Sequence, residues 1–188
     1  MLTGAALLAI LAIGGDAAQP PPCEPAECLR AVSSKTAVAL VDLAEPSLVG
    51  HWTAGPGLAG SELYLFADHT YIFIEWADVM PETISDKGRW TMAMGLLTLS
   101  SDSDVVWDPR NDRRYLSLRE GDGSEPLLFG VDRTLHVFEW LVEEDPKEAP
   151  GYFRAACREK VRTWSDAEAG HLKADLMKRF WRSSAFAR

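Results

Sequence analysis

Four histidines, His51, His69, His136 and His171, are the first residues in this chain whose chemistry could matter. His51 adjoins Trp52, His69 sits in a turn, and His136 falls in the last of the strands expected below. The first and last strands of a closed barrel are neighbours, so His51 and His136 would meet if both point inward. A metal site there needs a third ligand, and Glu139 or Glu75 would have to serve without the spacing that marks metal-binding motifs. The acidic string Asp102, Asp104, Asp108 and Asp112 lacks the glycine and terminal glutamate of a calcium loop, and reads as a solvated turn. The sequence contains no Gly-x-Ser-x-Gly elbow, phosphate loop or dinucleotide fingerprint, and nothing pairs its many carboxylates. The pattern speaks against an enzyme and implies no cofactor and no metal.

Aromatic side chains offer a different chemistry, contact with an apolar ligand. The residues expected to line such a site are Trp52, Tyr64, Tyr71, Phe73, Trp76, Trp90 and Phe138, with Trp107 and Trp140 as further apolar surface. An eight-stranded barrel holds either its own side chains or one small ligand, so a filled core is the alternative.

The elements that must position these residues begin at Leu48. About eight strands are expected, near 48–54, 61–67, 70–77, 83–92, 95–100, 104–108 or 113–119, 126–131 and 134–140. Asp68-His69 and Asp132-Arg133 stand where tight hairpin turns are needed, and Met92 to Gly95 makes a longer one. In the 61–77 hairpin both faces are apolar: Leu63 and Leu65 oppose Tyr64 and Phe66, and Ile72 and Ile74 oppose Tyr71 and Phe73. A half-exposed strand would alternate apolar with polar, so one face should line the barrel and something else should cover the other.

A helix over 166–182 is the obvious cover. Ser165 and Glu168 form a capping box, and Ala169, Leu172, Leu176 and Phe180, widened by Met177 and Trp181, make an apolar stripe. The stripe packs on the barrel wall, binds a protein partner or lies on a membrane surface. A shorter helix is expected from about Pro25 to Ser34, and Ala37 to Leu43 is a strand or a helix continuation. The fold class expected is mainly β, an antiparallel up-and-down β-barrel with a short N-terminal helix and a C-terminal amphipathic helix.

Residues 1–17 resemble a secretory signal: Ala5 to Ile13 is an unbroken apolar run, and Gly15 and Ala17 are small residues where a signal peptidase would act. That run is much shorter than the about 20 residues of a membrane span. The organisation expected is signal 1–17, linker and helical segment 18–47, barrel 48–142, and C-terminal extension 143–188. An exported chain would oxidise two of Cys23, Cys28 and Cys157; Cys28–Cys157 would tie the ends together, and Cys23–Cys28 would staple a short loop. A net charge of -9 with dispersed Lys and Arg excludes the basic footprint that nucleic acid requires.

Gly50-His51-Trp52, the run from Glu62 to Tyr71 (ELYLFADHTY), and Lys87-Gly88-Arg89-Trp90 followed by GLLTLS together resemble the lipocalin-like small β-barrels over about 48–140. The resemblance implies that Trp52 plugs the closed end of a barrel while a basic side chain from a late segment, Arg154 or Arg158, stacks over it. The Thr-Asp-Tyr motif of the animal lipocalins has no match here. The functional expectation is a periplasmic or secreted, non-enzymatic protein holding a small, largely apolar ligand in the barrel. The alternative is a cell-envelope interaction or structural module with a filled core.

Overall fold

A computed structural model describes residues 24–41, 43, 45–55, 57–102, 112–121 and 124–180. The expected signal, Trp107, Trp181, Cys23, Asp104 and Asp108 lie outside these residues. The described chain enters through α1 (Pro25–Ser33), β1 (Val38–Leu40) and the single turn α2 (Glu45–Leu48). Glu24 and Glu27 make the capping box that starts α1, with Pro25 in the first turn, where its missing N–H is harmless.

A meander follows: β2 (Gly50–Ala54), β3 (Ala59–Leu65), β4 (Thr70–Ala77), β5 (Met80–Ala93), β6 (Leu96–Ser101), β7 (Arg114–Glu120) and β8 (Leu127–Gly130). Each of these strands pairs antiparallel with its sequence neighbour. The chain then leaves the barrel for two helices, α3 (Thr134–Glu144) and α4 (Ala149–Ala156), and returns as β9 (Arg158–Arg162). β9 pairs with β8 on one side and β2 on the other, which closes an eight-stranded barrel. β1 lies outside that ring, beside the end of β7. Closure removes the exposed edges that an open sheet would present.

Three sequence expectations change here. Residues 134–140 are helical, because Leu135, Phe138 and Leu141 fall on one helical face and pack against Phe129, Ala149 and Phe153. The closing strand is Arg158–Arg162, beyond the 48–142 span read as barrel. The expected turn at Asp132-Arg133 is the entry to α3 rather than a hairpin.

α3 has no cap from its own first residue; the cap comes from Asp112, just before β7. Asp112 Oδ1 accepts the backbone N–H groups of Asp132, Arg133 and Thr134 at 2.7, 2.8 and 3.2 Å, and Oδ2 accepts the Thr134 hydroxyl at 2.5 Å. Asp132 answers in the opposite direction. Its carboxylate accepts the N–H groups of Arg113 and Arg114 at 2.8 and 3.0 Å, and the Arg114 guanidinium at 2.9 and 2.7 Å. Asp112 is thus buried and engaged, not the solvated turn residue expected. Gly130 is required beside it, since a Cβ there would lie 2.2 Å from Asp112 Oδ2.

The doubly apolar hairpin is covered as expected. α5 (Asp166–Phe180) starts at the Ser165–Glu168 box, where the Ser165 N–H and hydroxyl both donate to Glu168 Oε2 at 2.9 Å. Its Leu176 is buried, and Ala169, Leu172 and Met177 pack on the same core as Tyr64, Phe66, Ile72 and Ile74. Lys173 pins it to the β3–β4 turn, donating to Asp68 at 2.9 Å and Thr70 at 2.6 Å. On the opposite side α1, α3 and α4 cover Leu116, Leu118, Leu127 and Phe129 of β7 and β8. Among the described residues no helix is long and apolar enough to cross a membrane.

Asp112→Ala leaves three N–H groups at the start of α3 without their acceptor, and should lower the unfolding free energy by about 2–4 kcal/mol. The exposed Asp102→Ala should change it by less than about 0.5 kcal/mol. Urea unfolding of both variants checks this, and equal midpoints would refute the capping role.

Candidate functional site

The inner face of the barrel follows from the register. Trp52 stands opposite Leu63, Leu63 opposite Phe73, and Phe73 opposite Asp86. On the far wall Leu97 stands opposite Tyr115, and Ser117 and Arg158 both stand opposite Leu128. Side chains on one face alternate along each strand, so these positions share the interior.

One end of the barrel is closed. Trp52 is fully buried, and its Nε1–H donates to the Leu48 carbonyl in α2 at 2.9 Å. Lys160 of β9 places its Nζ 5.5 Å from the Trp52 ring centre and donates to the Ser47 carbonyl at 2.5 Å. Burial holds the Lys160 ammonium below its ordinary pKa. Trp90 completes this end, donating to the Phe66 carbonyl at 3.0 Å beneath the stacked ring of His69. The cation over Trp52 is therefore Lys160. Neither basic candidate named from the sequence takes that place: Arg154 lies outside, paired with Glu120 and Glu159, and Arg158 lies deeper.

Arg158 is 6% exposed, and its guanidinium spans the barrel interior. It lies 5.0 Å from the Phe73 ring centre on β4 and 5.4 Å from the Tyr115 ring centre on β7. Its Nη1 donates to the Ser61 carbonyl at 3.1 Å, and its Nη2 to the Ser61 hydroxyl at 2.8 Å, both on β3. Contact with three walls at once is available only from the middle of the barrel. Among the described residues no carboxylate lies within ion-pair distance of it.

A second polar group lines the same interior. Asp86 is 6% exposed and accepts the Tyr71 hydroxyl and the Ser101 hydroxyl, the latter at 2.5 Å. Burial raises the Tyr71 pKa, and the adjacent Asp86 carboxylate raises it further. Burial also pushes Tyr115 up to about 12, opposed by the charge of Arg158. Both phenols are neutral hydrogen-bond donors at any physiological pH.

Of the residues expected to line a ligand site, the structure brings Trp52, Tyr71, Phe73 and Trp90 together inside the barrel. Tyr64 faces outward, stacked on His51 at 4.4 Å and on Trp164 at 5.9 Å. Trp76 lies over Gly60, where a Cβ would come within 2.7 Å of its ring. Phe138 belongs to the helical layer, edge-on to Phe129 and Phe153. His136 is exposed on α3, so it does not meet His51. His51 instead sits 3.5 Å from Glu62, which also accepts the Tyr64 hydroxyl at 2.5 Å. Among the described residues no three His, Cys, Asp or Glu side chains are grouped to hold a metal. Cys157 is a buried free thiol pushed up to about 12 by burial, so the Cys28–Cys157 bridge is not formed.

The sequence offered Arg158 only as a candidate to stack over Trp52, and it gave no signal for Asp86 as a polar interior group or for Trp164. Trp164 walls a cleft of about 370 Å³ with Val49, Ala67, His69, Trp90, Thr163 and Asp166 between the closed end and the start of α5. No protein-family model matches the chain, nor does any curated protein or solved structure. What the structure establishes of the lipocalin resemblance is the closed eight-stranded antiparallel barrel.

Lys160→Ala removes a cation from the Trp52 face and a bond to Ser47, and should destabilise by about 1–2 kcal/mol. Arg154→Ala removes only exposed ion pairs and should cost less than about 1 kcal/mol. Chemical unfolding followed by tryptophan fluorescence separates the two. The His51 imidazole 3.5 Å away, joined by the hydrogen bond from Tyr64, holds the Glu62 carboxyl below its ordinary value of 4.5. A depressed folded-state pKa contributes stability that is complete above the unfolded value and is lost as pH falls through the folded one. Glu62→Gln should therefore narrow its stability gap to the unaltered protein as pH drops below 4.5.

Proposed function

We propose that this is an exported, non-enzymatic binding protein of lipocalin-like type that takes a small, largely apolar ligand into the barrel. The single observation carrying the reading is Arg158, a buried guanidinium set between Phe73 and Tyr115 in the barrel interior. Replacing buried charges by well-packed apolar side chains is often neutral or stabilising, so a core built for structure alone has no use for this one. A few polar groups converging inside an apolar enclosure are the usual mark of a ligand site. Trp52, Phe73, Tyr71 and Trp90 supply the apolar walls. Leu58 and Val79 stand 72% and 91% exposed on adjoining loops at the end opposite α2, an apolar rim for entry.

Export rests on the apolar run from Ala5 to Ile13 and the small residues Gly15 and Ala17. Oxidation after export would then pair Cys23 with Cys28, since Cys157 is a buried free thiol.

The alternative, an envelope interaction or structural module with a filled core, draws support from the near-complete burial of Trp52, Trp90, Tyr71 and Phe73. Native mass spectrometry of the protein purified from its own host, before and after organic extraction, separates the two. A stoichiometric mass lost on extraction is the expected result. A bare monomer, or a co-purifying protein chain, would favour the filled module. The same spectrum tests export, which requires a mature chain beginning at Ala18.

A further inference from the structure

Outside the barrel, the cleft that Trp164 walls at the start of α5 carries chemistry of its own. Its volume of about 370 Å³ lies within the range of small-molecule sites. Among the described residues its lining contains one acid, Asp166, and no Lys or Arg. The rings of His69, Trp90 and Trp164 supply most of the remaining surface.

Two of these side chains are held at a cost. His69 has φ 61°, the left-handed backbone that glycine adopts freely and a residue with a Cβ resists. Its ring lies 4.7 Å from that of Trp90, and its carbonyl accepts the Trp90 N–H at 2.9 Å. Trp164 is 7% exposed. Trp52 and Trp90 donate their indole N–H groups to carbonyls, but that of Trp164 is buried without an acceptor among the described residues. Ring contacts hold it instead, to Tyr64 at 5.9 Å and Phe66 at 5.5 Å. A strained turn residue and an orphaned buried donor at one cleft are costs that functional sites carry.

Charge selects the ligand. A helix start attracts anions, but the first turn of α5 already carries Asp166 and Glu168, and Glu168 takes the Ser165 N–H and hydroxyl. The cations of neighbouring elements are engaged: Lys173 with Asp68 and Thr70, Arg162 with Glu168, and Lys160 with the Ser47 carbonyl. A second cleft beside Trp164, about 390 Å³, holds that Arg162–Glu168 pair and so both signs of charge. Asp166 alone has no cation partner among the described residues. A primary ammonium brings three N–H donors that each need an acceptor. A methylated one spreads its charge over methyl groups that suit the faces of aromatic rings.

We infer that this cleft binds a methylated organic ammonium ion. Its methyl groups lie against His69, Trp164 and the apolar Val49 and Ala67, and its charge lies beside the Asp166 carboxylate. The site stands whether or not the barrel holds a ligand.

Titration calorimetry of the full chain with choline and with dimethylbutanol, its uncharged carbon analogue, tests this. Choline should bind at least about tenfold more tightly, the equivalent of about 1.4 kcal/mol. Asp166→Asn should abolish that preference, and Glu139→Gln, beside the exposed Trp140 of α3, should retain it. His69→Gly relieves the turn and should weaken choline about threefold by removing one ring. A preference that survives Asp166→Asn would come from the net charge of -9 and would overturn the assignment. Should Asp166→Asn fail to fold, the indole N–H resonances of the unaltered protein answer the same question by NMR. Choline should shift that of Trp164 and leave that of Trp140 in place, and a shift at Trp140 alone would overturn the site. Equal binding of the two compounds would overturn the cation, and binding of neither would overturn the cleft as a site.

Discussion

Asp112 and the start of α3 meet about twenty residues apart in sequence, and the course of the chain between them turns on that contact. β8 ends at Gly130, where a hairpin would send the next strand straight back along the sheet. Three backbone N–H groups held by one carboxylate make a helix start there instead. Once α3 has begun, α4 follows, and the chain re-enters the barrel as β9. The reciprocal hold of Asp132 on β7 fixes the other side of the same corner. A buried, fully satisfied polar cluster of this kind tolerates few alternatives, which gives the corner its definition.

The meander from β2 to β7 was legible in the sequence because its side chains obey the simple rules. Leu63 to Phe66 and Tyr71 to Ile74 are apolar on both faces, and the structure packs both, one into the lumen and one under α5. Ser165 and Glu168 announced the start of that helix, and they make the bonds a capping box requires. Local signals of this type need no knowledge of the distant chain. The closed-end position of Trp52 came instead from the resemblance to lipocalin-like barrels, and the structure buries it there against the Leu48 carbonyl.

α3 and β9 were not legible, and the causes differ. Thr134 to Trp140 alternates well enough to pass for a strand, and the residue that makes it a helix, Asp112, lies far upstream. β9 reads Arg-Glu-Lys-Val-Arg, a pattern that suggests a solvated surface. Its inward positions are Arg158 and Lys160, opposite Leu128 and Trp52, so the usual rule of apolar-in and polar-out fails along the strand. The candidate site was correspondingly half visible. Trp52, Tyr71, Phe73 and Trp90 could be named from their type, whereas the cation between them belonged to a strand that pattern alone does not reveal.

The two inward cations of β9 also show why position, rather than charge alone, decides what each can do. Lys160 lies near the rim of the closed end, where its ammonium reaches the Ser47 carbonyl and covers the Trp52 ring. That cation is a lid on the floor of the barrel, and its cost is shared with solvent. Two residues earlier on the same face, Arg158 lies across the middle of the lumen with rings on two walls and Ser61 on a third. At 6% exposure solvent screens little of its charge, and the Ser61 carbonyl and hydroxyl take its N–H donors instead. The two inward cations of one strand therefore do different things: Lys160 covers the floor of the barrel, and Arg158 ties β9 to Ser61 of β3 across its interior.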